Sequence, residues 1–315
     1  MHSAINTAGP RAHEIAELMT LFTAVCAVVY LIVIGVLIWA LLRKRARARL
    51  ASEAEREIAD RKARHVITWA TALTVLILIT LGLSDFFVQR SLFTPPKDPL
   101  RVLITGHQYW WEIEYDHPDP SQRLRTANEL HIPTGKPVEL VLTSRDVIHS
   151  FWLPSISGKK DLIPGRVNTE VLIADKPGLY TGQCAEFCGL QHAKMRLVLH
   201  ADSPDDFEKW RQQQLQPGRE PATDTERRGR TVFTSTSCVL CHSVQGTDAS
   251  ATVGPDLTHI ASRGTIAAGT LPNTPDNLAA WILAPHRMKP GVQMPATPLP
   301  PDDLGALTQY LASLQ

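Results

Sequence analysis

Two long stretches without a charged side chain, Leu18 to Leu42 and Val66 to Ser84, constrain this chain more than any other feature. Leu, Ile, Val and Ala dominate both, and such surface has no favourable contact with water. At ~1.5 Å rise per residue each run can cross a hydrocarbon layer of ~30 Å as a helix. Arg43, Lys44, Arg45, Arg47 and Arg49 open a basic segment between them that reaches Arg64. A short loop dense in Lys and Arg stays in the cytoplasm. The expected layout is therefore an outer segment over 1–17, membrane helices over 18–42 and 65–88, and a cytoplasmic loop over 43–64. Both termini face outward. The first run is too long for a cleaved signal peptide, and a basic stop follows it, so it is read as a retained anchor in lipid. Cys26, alone within it, is read as helix packing.

Beyond the second span the pattern changes. Over 98–202, short β-rich runs (Leu100–Ile104, Glu129–Ile132, Val138–Thr143, Thr169–Ile173, Lys194–His200) alternate with turns at Gly135, Pro164-Gly165 and Pro177-Gly178. No long amphipathic helix interrupts them, so a β-sandwich is expected. Residues 203–222 are charged, Gln-rich and Pro-containing, the composition of a tether, with a helix possible over Asp205–Gln214. Helical patterning fills 223–315 and ends with Leu304, Leu307, Leu311 and Leu314 on one helix face. A formal net charge of +1 over 315 residues argues against a nucleic-acid partner.

The chemistry concentrates in two places. Cys184, Cys188, His192 and Met195 fall within twelve positions, and His149 stands upstream in Asp146-Val147-Ile148-His149-Ser150-Phe151-Trp152. Thiolate and thioether donors are soft and suit copper, and imidazole binds it in either oxidation state. Zinc would need only the two Cys and two His, leaving Met195 unexplained. One face of a core helix is the remaining alternative, and Gly182 and Gly189 make that helix poor. Farther on, Cys238-Val239-Leu240-Cys241-His242 is a C-x-x-C-H motif, read as covalent attachment of a c-type haem with His242 on the iron. A methionine as second axial ligand would raise its potential. Met294, on the loop before Pro295, is favoured over Met288 because it resembles the Met-Pro loop of small bacterial cytochromes c. The stretch Gly254-Pro255-Asp256-Leu257 resembles the segment beside the proximal histidine of those proteins. His107, His131, His200, His259 and His286 show no partner pattern and are read as packing or surface residues.

Gly106-His107-Gln108-Tyr109-Trp110-Trp111, Asp146 to Trp152, Lys160 to Asn168 and Cys184 to Met195 together resemble cytochrome c oxidase subunit II. With the fused haem domain, the arrangement is similar to that of caa-type haem–copper oxidases. The resemblance implies a multidomain membrane protein: a two-helix transmembrane hairpin, a cupredoxin-like Greek-key β-sandwich and an all-α cytochrome c domain. It implies a binuclear copper A centre bridged by Cys184 and Cys188, with His149 and Met195 on one copper, and His192 and the Glu186 carbonyl on the other. The Glu186 side chain would help to bind a magnesium ion shared with subunit I, and Arg166 would lie near that subunit's haem propionates. Tyr109, Trp110 and Trp111 would relay electrons. Tyr109 stands where relatives served by soluble cytochrome c carry tryptophan, and near His65 no acid marks a proton path.

The function so implied is electron transfer from haem c, through the copper pair, to the haem of subunit I, where oxygen is reduced to water with proton pumping. Subunit III is a further expected partner, and the donor a cytochrome c or a membrane-bound quinol-oxidising complex. The location would be a bacterial cytoplasmic membrane, with the soluble domains on the periplasmic side. A copper A-containing nitric oxide reductase is the alternative, and a membrane-anchored copper-delivery protein a third reading.

Overall fold

The structure, a computed structural model, describes residues 3–44, 53–92 and 97–315. Helices α1 (Pro10–Lys44) and α2 (Glu53–Leu92) contain both apolar runs and extend past them at each end. Part of the expected cytoplasmic loop, from Glu53 to Arg64, therefore continues α2; residues 45–52 lie outside the described residues. Leu31, Trp39, Leu76 and Ile79 are among many large apolar side chains that stand exposed along these helices. Helices apolar on every side are stable only against lipid or further apolar protein.

The sandwich holds ten strands: β1 (Leu100–His107), β2 (Trp110–Tyr115), β3 (Leu124–Ala127), β4 (Glu129–Pro133), β5 (Val138–Ser144), β6 (His149–Trp152), β7 (Lys159–Leu162), β8 (Asn168–Leu172), β9 (Gly178–Cys184) and β10 (Arg196–Asp202). One sheet runs β3-β2-β1-β5-β8, the other β4-β10-β9-β6-β7. The β1–β5 and β4–β10 pairs are parallel and the rest antiparallel. Alternation is strict where one face meets the core: Val138, Leu140 and Leu142 of β5 are buried, while Glu139 and Val141 are half-exposed. The N-terminal segment also belongs here. The Ala8 N–H donates to the Ser155 carbonyl (2.7 Å), Asp175 N–H to the Ala8 carbonyl (2.8 Å), and Arg11 pairs with Glu170 at 3.1 Å.

The expected tether is largely a packed element. Helix α3 (Pro204–Gln214), N-capped by Ser203, lays Phe207 and Trp210 on the sandwich core. Trp210, His131 and His200 form a column of near-parallel rings, 4.1 Å between successive centroids. His131 is fixed by Asp202 at 2.8 Å.

The last domain comprises α4 (Asp224–Ser235), the short ribbon β11 (Thr265–Ile266) and β12 (Leu271–Pro272), α5 (Pro275–Leu283), α6 (Pro285–Met288) and α7 (Pro301–Ser313). A capping box of Thr223 and Glu226 starts α4. Helices α4 and α7 cross at Gly229, where a Cβ would sit 2.0 Å from the Ala306 carbonyl oxygen. Phe233, Leu307, Tyr310 and Leu311 fill the core beside that crossing. The sandwich and this domain form one compact unit.

Burial, and the neighbouring His131, pull the His200 imidazole down to about 4 from 6.5. The unfolded chain therefore takes up the proton first, and stability held above pH 6.5 is lost as pH falls towards 4. The apparent melting temperature of the sandwich, followed by circular dichroism on the full chain, should drop across that window. His200→Gln should flatten the drop.

Candidate functional site

Strands β6 and β9 bring the distant parts of the copper-type motif together. His149 opens β6 and Cys184 closes β9, with Phe151 opposite Cys184 in register. The loop that follows is pinned at its neck. Cys184 N–H donates to the Met195 carbonyl (2.9 Å), and Ala185 N–H donates to the Ser150 carbonyl (2.9 Å). The segment is thus a loop with one 3₁₀ turn at His192–Lys194, and the helical-face alternative is excluded.

Its donors converge. Cys184 Sγ lies 3.8 Å from Cys188 Sγ, 3.8 Å from His149 Nδ1 and 3.2 Å from the Glu186 carbonyl oxygen. Cys188 Sγ lies 3.7 Å from His192 Nδ1 and 3.9 Å from Met195 Sδ. A sulfur separation of 3.8 Å is far longer than a disulfide (~2.05 Å). It is shorter than two metal–thiolate bonds of ~2.3 Å, so one ion can touch both sulfurs. Cys184, Cys188, His149 and Met195 are buried. The hydrogen bond between the two sulfurs pulls the Cys184 thiol down and pushes the Cys188 thiol up. A soft, buried set with a thioether fits copper and gives zinc no use for Met195.

Asp146 orients His149, accepting from Nε2 at 2.8 Å and leaving Nδ1 towards the cysteines. Burial alone would raise the Asp146 carboxyl; hydrogen bonds from His149, Gln108 N–H and Val147 N–H hold it low. Gln108 also reaches the loop, its Nε2 donating to the Cys188 carbonyl (2.6 Å). Gly189, at φ +122°, lies so close to Tyr109 that a Cβ would stand 2.7 Å from the hydroxyl. Asp146, Gln108 and Gly189 all lie in the segments that carry the resemblance, but nothing in the sequence says that they meet at the loop.

The aromatic triplet is divided by the strand. Trp111 is fully buried, edge-on to His149 with centroids 6.0 Å apart. Tyr109 and Trp110 instead line a cleft shared with the helical domain, and Trp110 stacks on His107 at 4.4 Å. Across that cleft stand Cys238, Cys241, His242 and Met294, while Met288 is not part of its wall. His242 donates from Nδ1 to the Pro255 carbonyl at 2.7 Å, which leaves Nε2 for an iron. Burial lowers the His242 pKa and favours the neutral imidazole that a metal needs.

Arg263, which sequence reasoning missed, also lines the cleft. It is buried, with one donor on the Asp256 carbonyl (2.6 Å) and Nε without a partner. A buried cation with an unmet donor fits the carboxylates that a haem carries.

Glu129, His131 and His200 bring donor atoms within 4.8 Å of one another. The two imidazoles are face to face, 11° from parallel, and an ion lies in the plane of each ring that binds it. They cannot share one metal in this arrangement. Both are packing residues, as the sequence suggested.

The family described as "Cytochrome C oxidase subunit II, periplasmic domain" matches residues 118–202, and "Cytochrome c" matches 226–315. "Cytochrome c oxidase subunit 2" of Alkalihalophilus pseudofirmus is 34% identical over 322 residues, 99% of this chain and 91% of the relative. The Bacillus subtilis protein of the same name is 31% identical over 268 residues, 79% of this chain and 74% of the relative. A solved periplasmic domain of subunit II of cytochrome oxidase from Bradyrhizobium japonicum is 32% identical, with a TM-score of 0.36. It aligns with 38% of this chain and 96% of its own.

The cleft distinguishes the two methionines. Met294→Leu should abolish the thioether–iron absorption band and lower the haem midpoint potential, whereas Met288→Leu should leave both in place.

Proposed function

The chain belongs to the cytochrome c oxidase subunit II family, and on that premise we propose how its residues carry electrons from donor to subunit I. As an oxidase subunit with a copper A domain and a cytochrome c domain, it passes electrons from its fused haem through the copper centre to the haem of subunit I. There oxygen is reduced to water with proton pumping. One observation carries the residue assignment: two buried sulfurs 3.8 Å apart, each with an imidazole nitrogen within 3.8 Å.

Cys184 and Cys188 would hold two copper ions, with His149 and Met195 serving one and His192 with the Glu186 carbonyl serving the other. Cys238, Cys241, His242 and Met294 would hold haem c, the cysteines covalently, and Arg263 would meet one of its carboxylates. When bound, these cofactors supply one-electron redox chemistry; the protein supplies their rigidity. The pinned neck and the Asp146–His149 bond keep the donors in place whatever the oxidation state, so little rearranges when an electron arrives. Burial of both thiolates excludes water and any added ligand. The site has donors for transfer and none spare to activate a substrate.

Tyr109 and Trp110 form the relay between the haem cleft and the copper loop, and Trp111 supports His149 from below. The half-buried Glu186 side chain contributes to a magnesium site shared with subunit I, and the exposed Arg166 faces that subunit. The apolar helices anchor the chain in the membrane, the basic segment between them in the cytoplasm and the soluble domains on the periplasmic face. Subunit III and a cytochrome c or quinol-oxidising donor complete the set of partners, with membrane lipid around the anchor.

The test is spectroscopic and uses the purified oxidase complex. The wild type should contain about two coppers per covalent haem c in this subunit and show the many-line hyperfine pattern of a shared electron. Cys188→Ser should reduce that pattern to the simpler one of a single copper and stop oxidation of the fused haem. Zinc in place of copper, or a single-copper spectrum from the wild type, would refute the assignment.

A further inference from the structure

Lys289 is 1% exposed, among the largest fully buried side chains of the described residues. Its ammonium group has three donors, and three carbonyl oxygens meet it: Tyr109 at 3.0 Å, Lys194 at 2.8 Å and Ala267 at 3.0 Å. Those acceptors come from three separate places. Tyr109 lies at the β1–β2 turn that lines the haem cleft, Lys194 lies in the copper loop between His192 and Met195, and Ala267 lies beside β11 of the haem domain. A buried charge is tolerated only when its donors are met, and these are met only with both domains in place.

Neighbouring contacts follow the same seam. Gln191 Nε2 donates to the Pro290 carbonyl at 3.0 Å, and Lys194 Nζ donates to the Met288 carbonyl at 2.7 Å. Val292 belongs to the hydrophobic core of the sandwich, although it lies two residues before Met294. Residues 288–292 of the haem domain are thus fastened directly to residues 191–194 of the copper loop.

We propose that Lys289 is a positioning residue for haem-to-copper electron transfer, locking the haem domain, the Tyr109 relay and the copper loop into one fixed arrangement. This rests on the copper A and haem c assignment above. A locked pair transfers electrons without a docking step, so the rate does not depend on solvent viscosity. A tethered pair that must first find its orientation is gated by diffusion.

The experiment is flash reduction of the fused haem in the purified oxidase complex, followed at the haem and copper bands over a range of glycerol concentrations. The wild-type rate should be independent of viscosity. Lys289→Met should slow transfer by about tenfold or more and make it viscosity-dependent, with both cofactor spectra and the haem potential unchanged. Lys194→Met removes only an exposed donor from the seam and should slow transfer by a few-fold, which keeps the test available if Lys289→Met fails to assemble. A viscosity-dependent wild-type rate would overturn the proposal, as would wild-type kinetics in Lys289→Met or, where that variant does not assemble, wild-type kinetics in Lys194→Met. A wild type without the paired-copper spectrum would instead overturn the cofactor assignment, and the positioning role with it.

Discussion

The backbone bond from Cys184 N–H to the Met195 carbonyl, 2.9 Å long, is the constraint on which the site depends. It closes a loop that carries two thiols, an imidazole, a thioether and a free carbonyl, all facing inward. Without closure those groups would hang on a flexible segment, and ordering them would cost about 1–2 kcal/mol of backbone entropy per residue. With the neck tied to β9 and β10, that cost is met when the sandwich folds, before any metal binds. The Ala185–Ser150 bond ties the same neck to β6, so His149 arrives in register with the loop it completes.

Preorganisation of this kind explains why electron transfer is the chemistry these donors suit. A carrier works best when the two oxidation states share one geometry. Four of the five donor side chains are held by the protein itself: Cys184 by the neck bond, His149 by the Asp146 carboxylate, Cys188 by the Gln108 amide on its carbonyl, and Met195 by burial. The haem side is built alike. His242 is aimed by the Pro255 carbonyl, and the buried Arg263 is held by the Asp256 carbonyl. In both places one of the orienting groups is a backbone carbonyl, Met195 on the copper side and Pro255 on the haem side, which cannot swing away.

How much of this could be read from the sequence follows from how local each signal is. The copper loop and the C-x-x-C-H motif were legible because their ligands fall within one turn or one loop, and spacing alone carries the chemistry. The apolar runs were legible for the same reason. Within the tether the helix is legible but its packing is not, because Gln and charged residues mask Phe207 and Trp210, three apart on the face that packs on the sandwich. Lys289, Glu129 and Arg263 gave no signal at all. Lys289 finds one acceptor 180 positions away, and Glu129 accepts from the Gly264 amide 135 positions on. A partner that is a backbone atom of a remote segment leaves no pattern in side-chain identity.

That same remoteness bears on Tyr109. The position serves the interior of the protein. Tyr109 is only 7% exposed, its carbonyl accepts from Lys289, and its hydroxyl lies against Gly189 in the copper loop. Trp110 beside it lines the haem cleft. Both residues therefore sit between the copper loop and the haem domain rather than on an open surface. The fit there is tight, since a Cβ at Gly189 would stand 2.7 Å from the Tyr109 hydroxyl. With its carbonyl on Lys289 and its ring against the loop that carries Cys188, Tyr109 ties its own packing to that of both domains, so a change at this position acts on the seam and not on a free surface.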